Sequence, residues 1–287
     1  MRAIIARKAA GRLAHPSGRE LEYLVSSNIL DDVPFTALDN RNAKKMFGPD
    51  LAAVRGKTVR SAPEHVVVEY VAIPREFLAL HRHVTLVADV MFVNNVPFLV
   101  TLSRGIKFMT AEHVPTRTAK QLTRSLRKVL QIYARSGCVV NTILMDMEFD
   151  SCVELLPEVV INTSAAKEHV AEVERTIRTI KERTRAITST LPYKILHKLI
   201  ITNVVYFTIL WLNAFPVKNG VSDKYSPRAI IVRTKLSWKK HCQLDFGAYC
   251  EAHDEPDPTN TTIPRTHETI ALGPTGNING SYKFFCL

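Results

Sequence analysis

Val84-Thr-Leu-Val-Ala-Asp-Val-Met-Phe-Val93, followed by Asn94-Asn95 and then Val96 to Leu102, is the stretch on which the fold turns. The first ten residues have the β-branched, apolar composition of a buried strand. Asparagine tolerates positive φ, so Asn94-Asn95 supplies a tight turn, and the second apolar run returns beside the first. Ile106 to Glu112 reads as a third strand. Asp89 stands in the middle of the first strand, and aspartate is seldom buried without a partner. A strand-end carboxylate bonded to a neighbouring loop accounts for it, and so does a functional role.

Downstream, Leu122, Leu126, Val129, Leu130 and Tyr133 fall at helical spacing, with Arg124, Arg127 and Lys128 outside that stripe and Gly137 to end the helix. Val139 to Met145 is a strand closing on Asp146. That residue also reads as the N-cap of a short helix over Glu148 to Leu156. Val159 to Asn162 is a further strand. The stretch Glu168 to Arg185 is then an amphipathic helix whose buried stripe is Val170, Val173, Ile177, Ile180 and Ile187. Glu174, Arg178 and Lys181 line up on its exposed side. Such an alignment ordinarily means no more than salt-bridged i,i+4 neighbours, worth a few tenths of a kcal/mol. Another helix follows Pro192. It carries the uncharged run Leu199 to Val217, in which Thr202, Asn203, Thr208, Asn213 and Pro216 favour a buried helix over a membrane span. Three strands, a helix, a strand, a short helix, a strand and two helices make a mixed α/β sheet with helices on its faces.

The flanks differ from this centre. Residues 1 to 60 read as a small helical or irregular module. Arg12 to Leu24 is a turn and short helix, Phe47-Gly-Pro-Asp50 a turn, and Arg55-Gly-Lys-Thr-Val-Arg60 a basic extended segment. Gly56-Lys57-Thr58 is no phosphate-binding loop, because Leu51 stands where the motif needs glycine. From Val66 the character turns strand-rich. Met1 to Gly18 is basic and acid-free, as a mitochondrial presequence would be, but its apolar spacing is weak. Beyond Pro227, Phe246 to Ala252, Thr269 to Leu272 and Tyr282 to Cys286 read as short strands. The turn-rich runs Asp254 to Pro258 and Gly273 to Gly280 separate them, giving a small β module.

Composition restricts the partners. The chain has 287 residues, 46% of them hydrophobic, and a net charge of +11 with a pI near 9.5. A soluble protein with an anionic partner follows, nucleic acid ahead of a membrane surface. The charge is clustered: Arg117 to Arg135 and Lys224 to Lys240 each hold six Lys or Arg and no acid. Two such runs favour a phosphate-facing surface over solvated faces alone. Cys138, Cys152, Cys242, Cys250 and Cys286 include no Cys-x-x-Cys pair, which speaks against structural zinc and suits a reducing compartment.

Asp89 and Asp146, both strand-borne, and Glu174 on a helix supply the hard oxygen ligands that two-metal phosphoryl transfer requires. In that setting several short motifs, none specific alone, occur in a telling order. They are Arg12-Leu-Ala-His-Pro-Ser17, Ala88-Asp89-Val90, Met145-Asp-Met-Glu-Phe149, Val173-Glu-Arg175, Asn213-Ala-Phe-Pro216, Ser226-Pro227 and Asp245-Phe-Gly-Ala-Tyr249. Over nearly its whole length the chain resembles the integrase region of copia-type retrotransposon polyproteins.

The resemblance implies an RNase-H-like mixed sheet flanked by helices. It implies a degenerate pre-integrase segment at 1–60, a linker at 61–80, a catalytic core at 81–216, a basic linker at 217–240 and a small truncated β module at 241–287. It assigns Asp89, Asp146 and Glu174 as catalytic metal ligands, spaced 57 and 28 residues apart, with Glu172 and Glu168 as rival third carboxylates. Arg175, Arg178 and Lys181 become contacts to DNA phosphates. The cofactor implied is Mg2+, with Mn2+ as a substitute. The partners are double-stranded DNA of the element's ends and of the target, and a second copy of the chain. The activity implied is 3′-end processing and strand transfer, by a protein made in the cytoplasm and acting in the nucleus. Departures from the family pattern are visible. Ala10 stands where the first zinc-binding histidine would be, with His15 as the second, and residues 16 to 60 hold no cysteine, so no zinc is expected. Met147 replaces a small residue beside Asp146. The chain stops inside the β module, which suggests a truncated copy. A catalytically inactive fragment that keeps only DNA binding is the alternative.

Overall fold

A computed structural model describes residues 1–59, 70–163, 166–253 and 262–287, with backbone alone at 147–148 and 166–171. The chain divides into two compact units. One comprises Met1–Glu64, Tyr249–Ile270 and Cys286–Leu287, the other His65–Ala248 and Ala271–Phe285. The N-terminal helices share a unit with residues from near the C-terminus.

In the first unit, helices α1 (Arg2–Arg12), α2 (Gly18–Ser26), α3 (Ala37–Phe47) and α4 (Leu51–Lys57) surround a small core of Ala3, Ala6, Ala10, Leu21, Phe35 and Ala43. Alanines on α1 let its neighbours approach closely, so the opening residues are part of a packed module. Capping boxes at Ser17/Glu20 and Thr36/Asp39 start α2 and α3 by satisfying orphan amides. The expected extended segment Arg55 to Arg60 begins instead as the last turn of α4; Arg60 lies outside the described residues. His15 Nδ1 pairs with Asp50 at 2.6 Å.

The second unit is built on a five-stranded sheet. After α5 (Arg75–Leu80), a helix the sequence did not announce, come β1 (His83–Val93), β2 (Val96–Ser103), β3 (Met109–His113), α6 (Ala119–Ser136), β4 (Val139–Leu144), a 3-10 turn (Met147–Cys152), β5 (Val160–Asn162) and α7 (Ala166–Ser189). The strand order is β3-β2-β1-β4-β5. β1, β2 and β3 pair antiparallel in sequence, while β4 lies parallel to β1 and β5 parallel to β4. This is an RNase-H-like mixed sheet, as expected. Asn94 and Asn95 adopt φ of 46° and 63° at the first hairpin, the positive values a two-residue turn requires. The third strand starts later than Ile106 because Arg104 to Lys107 form a turn, with the Ser103 amide donating to Phe108 O at 3.0 Å. The helix expected over Glu148 to Leu156 is only the 3-10 turn.

Alternation along β1 assigns the two layers. Val84, Leu86 and Ala88 pack under α6 residues Leu122, Leu126, Val129 and Tyr133. Val87 and Met91 face the other way, towards α7 and α8 (Lys198–Leu212). The uncharged run does form a buried helix, and α8 stops at Asn213. That residue is 4% exposed, and its side chain accepts from the Met109 amide at 2.8 Å and donates to Met109 O at 2.7 Å. Beyond it lie α9 (Pro227–Val232), α10 (Trp238–His241), β6 (Tyr249–His253), β7 (Thr266–Pro274) and β8 (Tyr282–Cys286), the strands forming a second sheet in the order β6-β7-β8. β6 starts later than Phe246 because Gly247 has φ 84°, which breaks an extended strand. The stretches expected as strand from Val66 and as turn over Asp254 to Pro258 fall largely outside the described residues.

Candidate active site

Asp89 lies on the α7 face of β1. In a strand side chains alternate, so Val87 and Asp89 share a face, and Val87 packs on Val173 of α7. The Val90 amide donates to Asp89 Oδ1 at 2.6 Å, which holds the half-buried carboxylate against its own strand.

Asp146 reaches the same face through an irregularity. Val84 pairs with Val140 but Thr85 pairs with Thr142, so Asn141 is an extra residue in β4. Before this bulge Val140 faces α6; after it Ile143 and Met145 do, and Leu144 turns to α7. Asp146 lies two residues beyond Leu144, as Asp89 lies two beyond Val87, and Leu144 and Val87 are register partners. Each aspartate therefore follows the last register pair of these parallel strands by two residues. Asp146 is exposed, and its backbone carbonyl, accepting from Phe149 N at 3.0 Å, opens the 3-10 turn.

The third carboxylate comes from α7, which seats Val173 over Val87 and Leu144. Glu172, one step before it, turns towards the β2–β3 turn, where Arg104 Nε donates to it at 3.3 Å and Lys107 Nζ also bonds it. Burial pushes the Glu172 carboxyl up, but the Lys107 and Arg104 bonds and charges outweigh that and hold it below its ordinary value. Glu172 is thus engaged in a structural ion pair. Glu174 lies about 200° round the helix from it, on the side away from that turn, and is exposed. The side chain of Glu168 lies outside the described residues, as does that of Met147. Among the described residues no three His, Cys, Asp or Glu side chains gather closely enough to share an ion. Asp89 and Asp146 each follow the same register pair of neighbouring strands by two residues, and carboxylates so placed suit a divalent cation that prefers hard oxygens.

Of the expected DNA contacts, Arg175 and Arg178 are exposed, and Lys181 is half-buried beside a cleft of about 180 Å³ walled by Phe92, Asn94 and Arg185. The bulge at Asn141 and the Arg104–Lys107 clamp on Glu172 were invisible in the sequence, since neither has a composition signal.

The chain matches no protein-family model and no curated protein. Among solved structures it is similar to the catalytic core domain of BIV integrase. That match has 16% identity and a TM-score of 0.38, and it covers 52% of this chain and 93% of the other. A likeness that distant adds nothing to the topology read directly from the strand order.

Proposed function

We propose that this chain is an integrase-like polynucleotidyl transferase of the copia-type retrotransposon class, acting on DNA phosphodiesters. The observation that supports the reading is that Asp89 and Asp146 each lie two residues beyond the register partners Val87 and Leu144, a register that depends on the bulge at Asn141. In this reading Asp89 and Asp146 hold Mg2+, and Glu174 completes the set from α7 when DNA draws the helix and the strand ends together. Mg2+, when bound, stabilises the negative charge that builds on the phosphoryl oxygens. Arg178 and Lys181, one and two turns along α7 from Glu174, position the DNA backbone, with Arg175 beside them. The net charge of +11 attracts DNA to the chain as a whole.

An inactive chain that only binds DNA is the second reading, favoured by the absence of a third carboxylate gathered with the aspartates among the described residues. A strand-transfer assay with Mg2+ and a labelled duplex separates the two. Product from the wild type and none from Asp89→Asn supports the transferase. Equal product from both sinks it, and binding without any product leaves the second reading.

A further inference from the structure

We propose that the outward face of α6, with the cleft at its N-terminal end, is a second docking surface for a nucleic-acid backbone, on the sheet face opposite Asp89 and Asp146. α6 buries Leu122, Leu126, Val129 and Tyr133 against the side of β1 that carries Leu86 and Ala88. Its outward side therefore points away from the aspartates. Lys120, Arg124, Arg127, Lys128 and Arg135 are all exposed and fall within an arc of about 100° on that side, with Gln131 between them. From Lys120 to Arg135 the stripe runs about 22 Å, enough to follow several successive phosphates of one strand. The helix contains no acid. Arg127 donates to Leu155 O at 2.9 Å and faces Glu158 at 3.6 Å, and Lys128 faces Glu112 at 3.1 Å. Exposed pairs of this kind are weak and exchange readily for a phosphate.

A basic stripe alone is ordinarily a solvated face. What distinguishes this one is the cleft of about 600 Å³ at its start, lined by Thr116, Thr118, Lys120, Thr123, Arg124 and Arg127. The first-turn amides of Ala119 and Lys120 have no intrahelical acceptor, and the helix dipole places positive charge there. Thr123, 4% exposed, contributes a buried hydroxyl whose hydrogen-bond contact is with the Cys152 thiol. The neighbouring Cys152 thiol donates to Ala119 O at 3.8 Å, so sulfur offers Thr123 only a weak contact. A phosphate oxygen seated in the cleft satisfies that hydroxyl and the helix end together. The length of the stripe beyond it favours a polymer over a single phosphate.

The surface is independent of the chemistry proposed for the other face, and the test keeps them apart. Binding of the full chain to a labelled DNA duplex is followed by fluorescence anisotropy from about 50 to 200 mM salt. The double variant Lys120→Gln/Arg124→Gln is expected to bind about 10-fold more weakly, with the slope of log K against log salt reduced by about 1.8 for two lost phosphate contacts. Thr123→Val weakens binding and Thr123→Ser restores it. A double variant with native circular dichroism and wild-type affinity and slope overturns the proposal. So does full displacement of the duplex by inorganic phosphate at matched ionic strength, which marks a single-phosphate site.

Discussion

Ala88 is buried under α6 while Asp89, one residue on, faces α7, and that single step separates a packing position from a candidate ligand. If Asp89 and Asp146 act as proposed, Asp89→Asn and Asp146→Asn each lower Mg2+-dependent strand transfer by at least about 100-fold, since the charge that holds the ion is lost at constant shape. Glu174→Gln does the same, whereas Glu172→Gln leaves activity within a few-fold of wild type. Kinetic comparison of the four variants distinguishes the rival carboxylates. Glu172 has a different consequence. Its folded-state pKa lies below the usual 4.5, so its ionised form stabilises the fold above that pH. The contribution is lost as pH falls through the carboxylate range. Glu172→Gln is therefore expected to destabilise the fold at pH 7 and to do so progressively less as the pH falls through the carboxylate range, as read by urea denaturation along that range.

At the scale of the element, two devices position the site. The bulge at Asn141 rotates the end of β4 so that Asp146 joins Asp89's face. Asn213 ties the end of α8 to β3 by bonding both polar groups of Met109. Asn213→Ala leaves the half-buried Met109 amide and carbonyl without those bonds and is expected to cost about 1 to 3 kcal/mol, seen as a lowered urea midpoint with an unchanged m-value. Asn213, in the motif Asn213-Ala-Phe-Pro216, thus has a structural role in this chain. So does Ser226-Pro227, where the Ser226 hydroxyl accepts from the Ala229 amide at 3.1 Å and Pro227 takes the first helical position of α9.

For the whole molecule, charge is the dominant property. With basic residues on both α6 and α7, duplex affinity is expected to fall steeply with salt, with a log–log slope steeper than about −4. A shallow slope in a titration from low to physiological salt rules out backbone binding as the main interaction. Among the described residues no helix is long and apolar enough to cross a membrane. The order of strands and helices in the second unit was legible because each element is long and periodic: β1 with its alternating faces, α6 with its apolar stripe, α8 with its uncharged run. The short helices α5, α9 and α10 were not, because each has too few turns for a period to show. The grouping of residues 249–270 with the N-terminal helices was equally illegible, since it joins segments nearly two hundred residues apart.

By itself the sequence determined the α/β class, the element order of the sheet, the basic character of two segments and the candidates Asp89, Asp146 and Glu174. These follow from local spacing and composition, which one stretch of chain carries alone. Tertiary structure decided which candidates share a face. Whether Asp146 turns towards Asp89 depends on one extra residue in a parallel pairing, and parallel register is set by contacts between distant strands. Whether Glu172 or Glu174 is available depends on Arg104 and Lys107, which reach α7 only after β2 and β3 have folded beside β1.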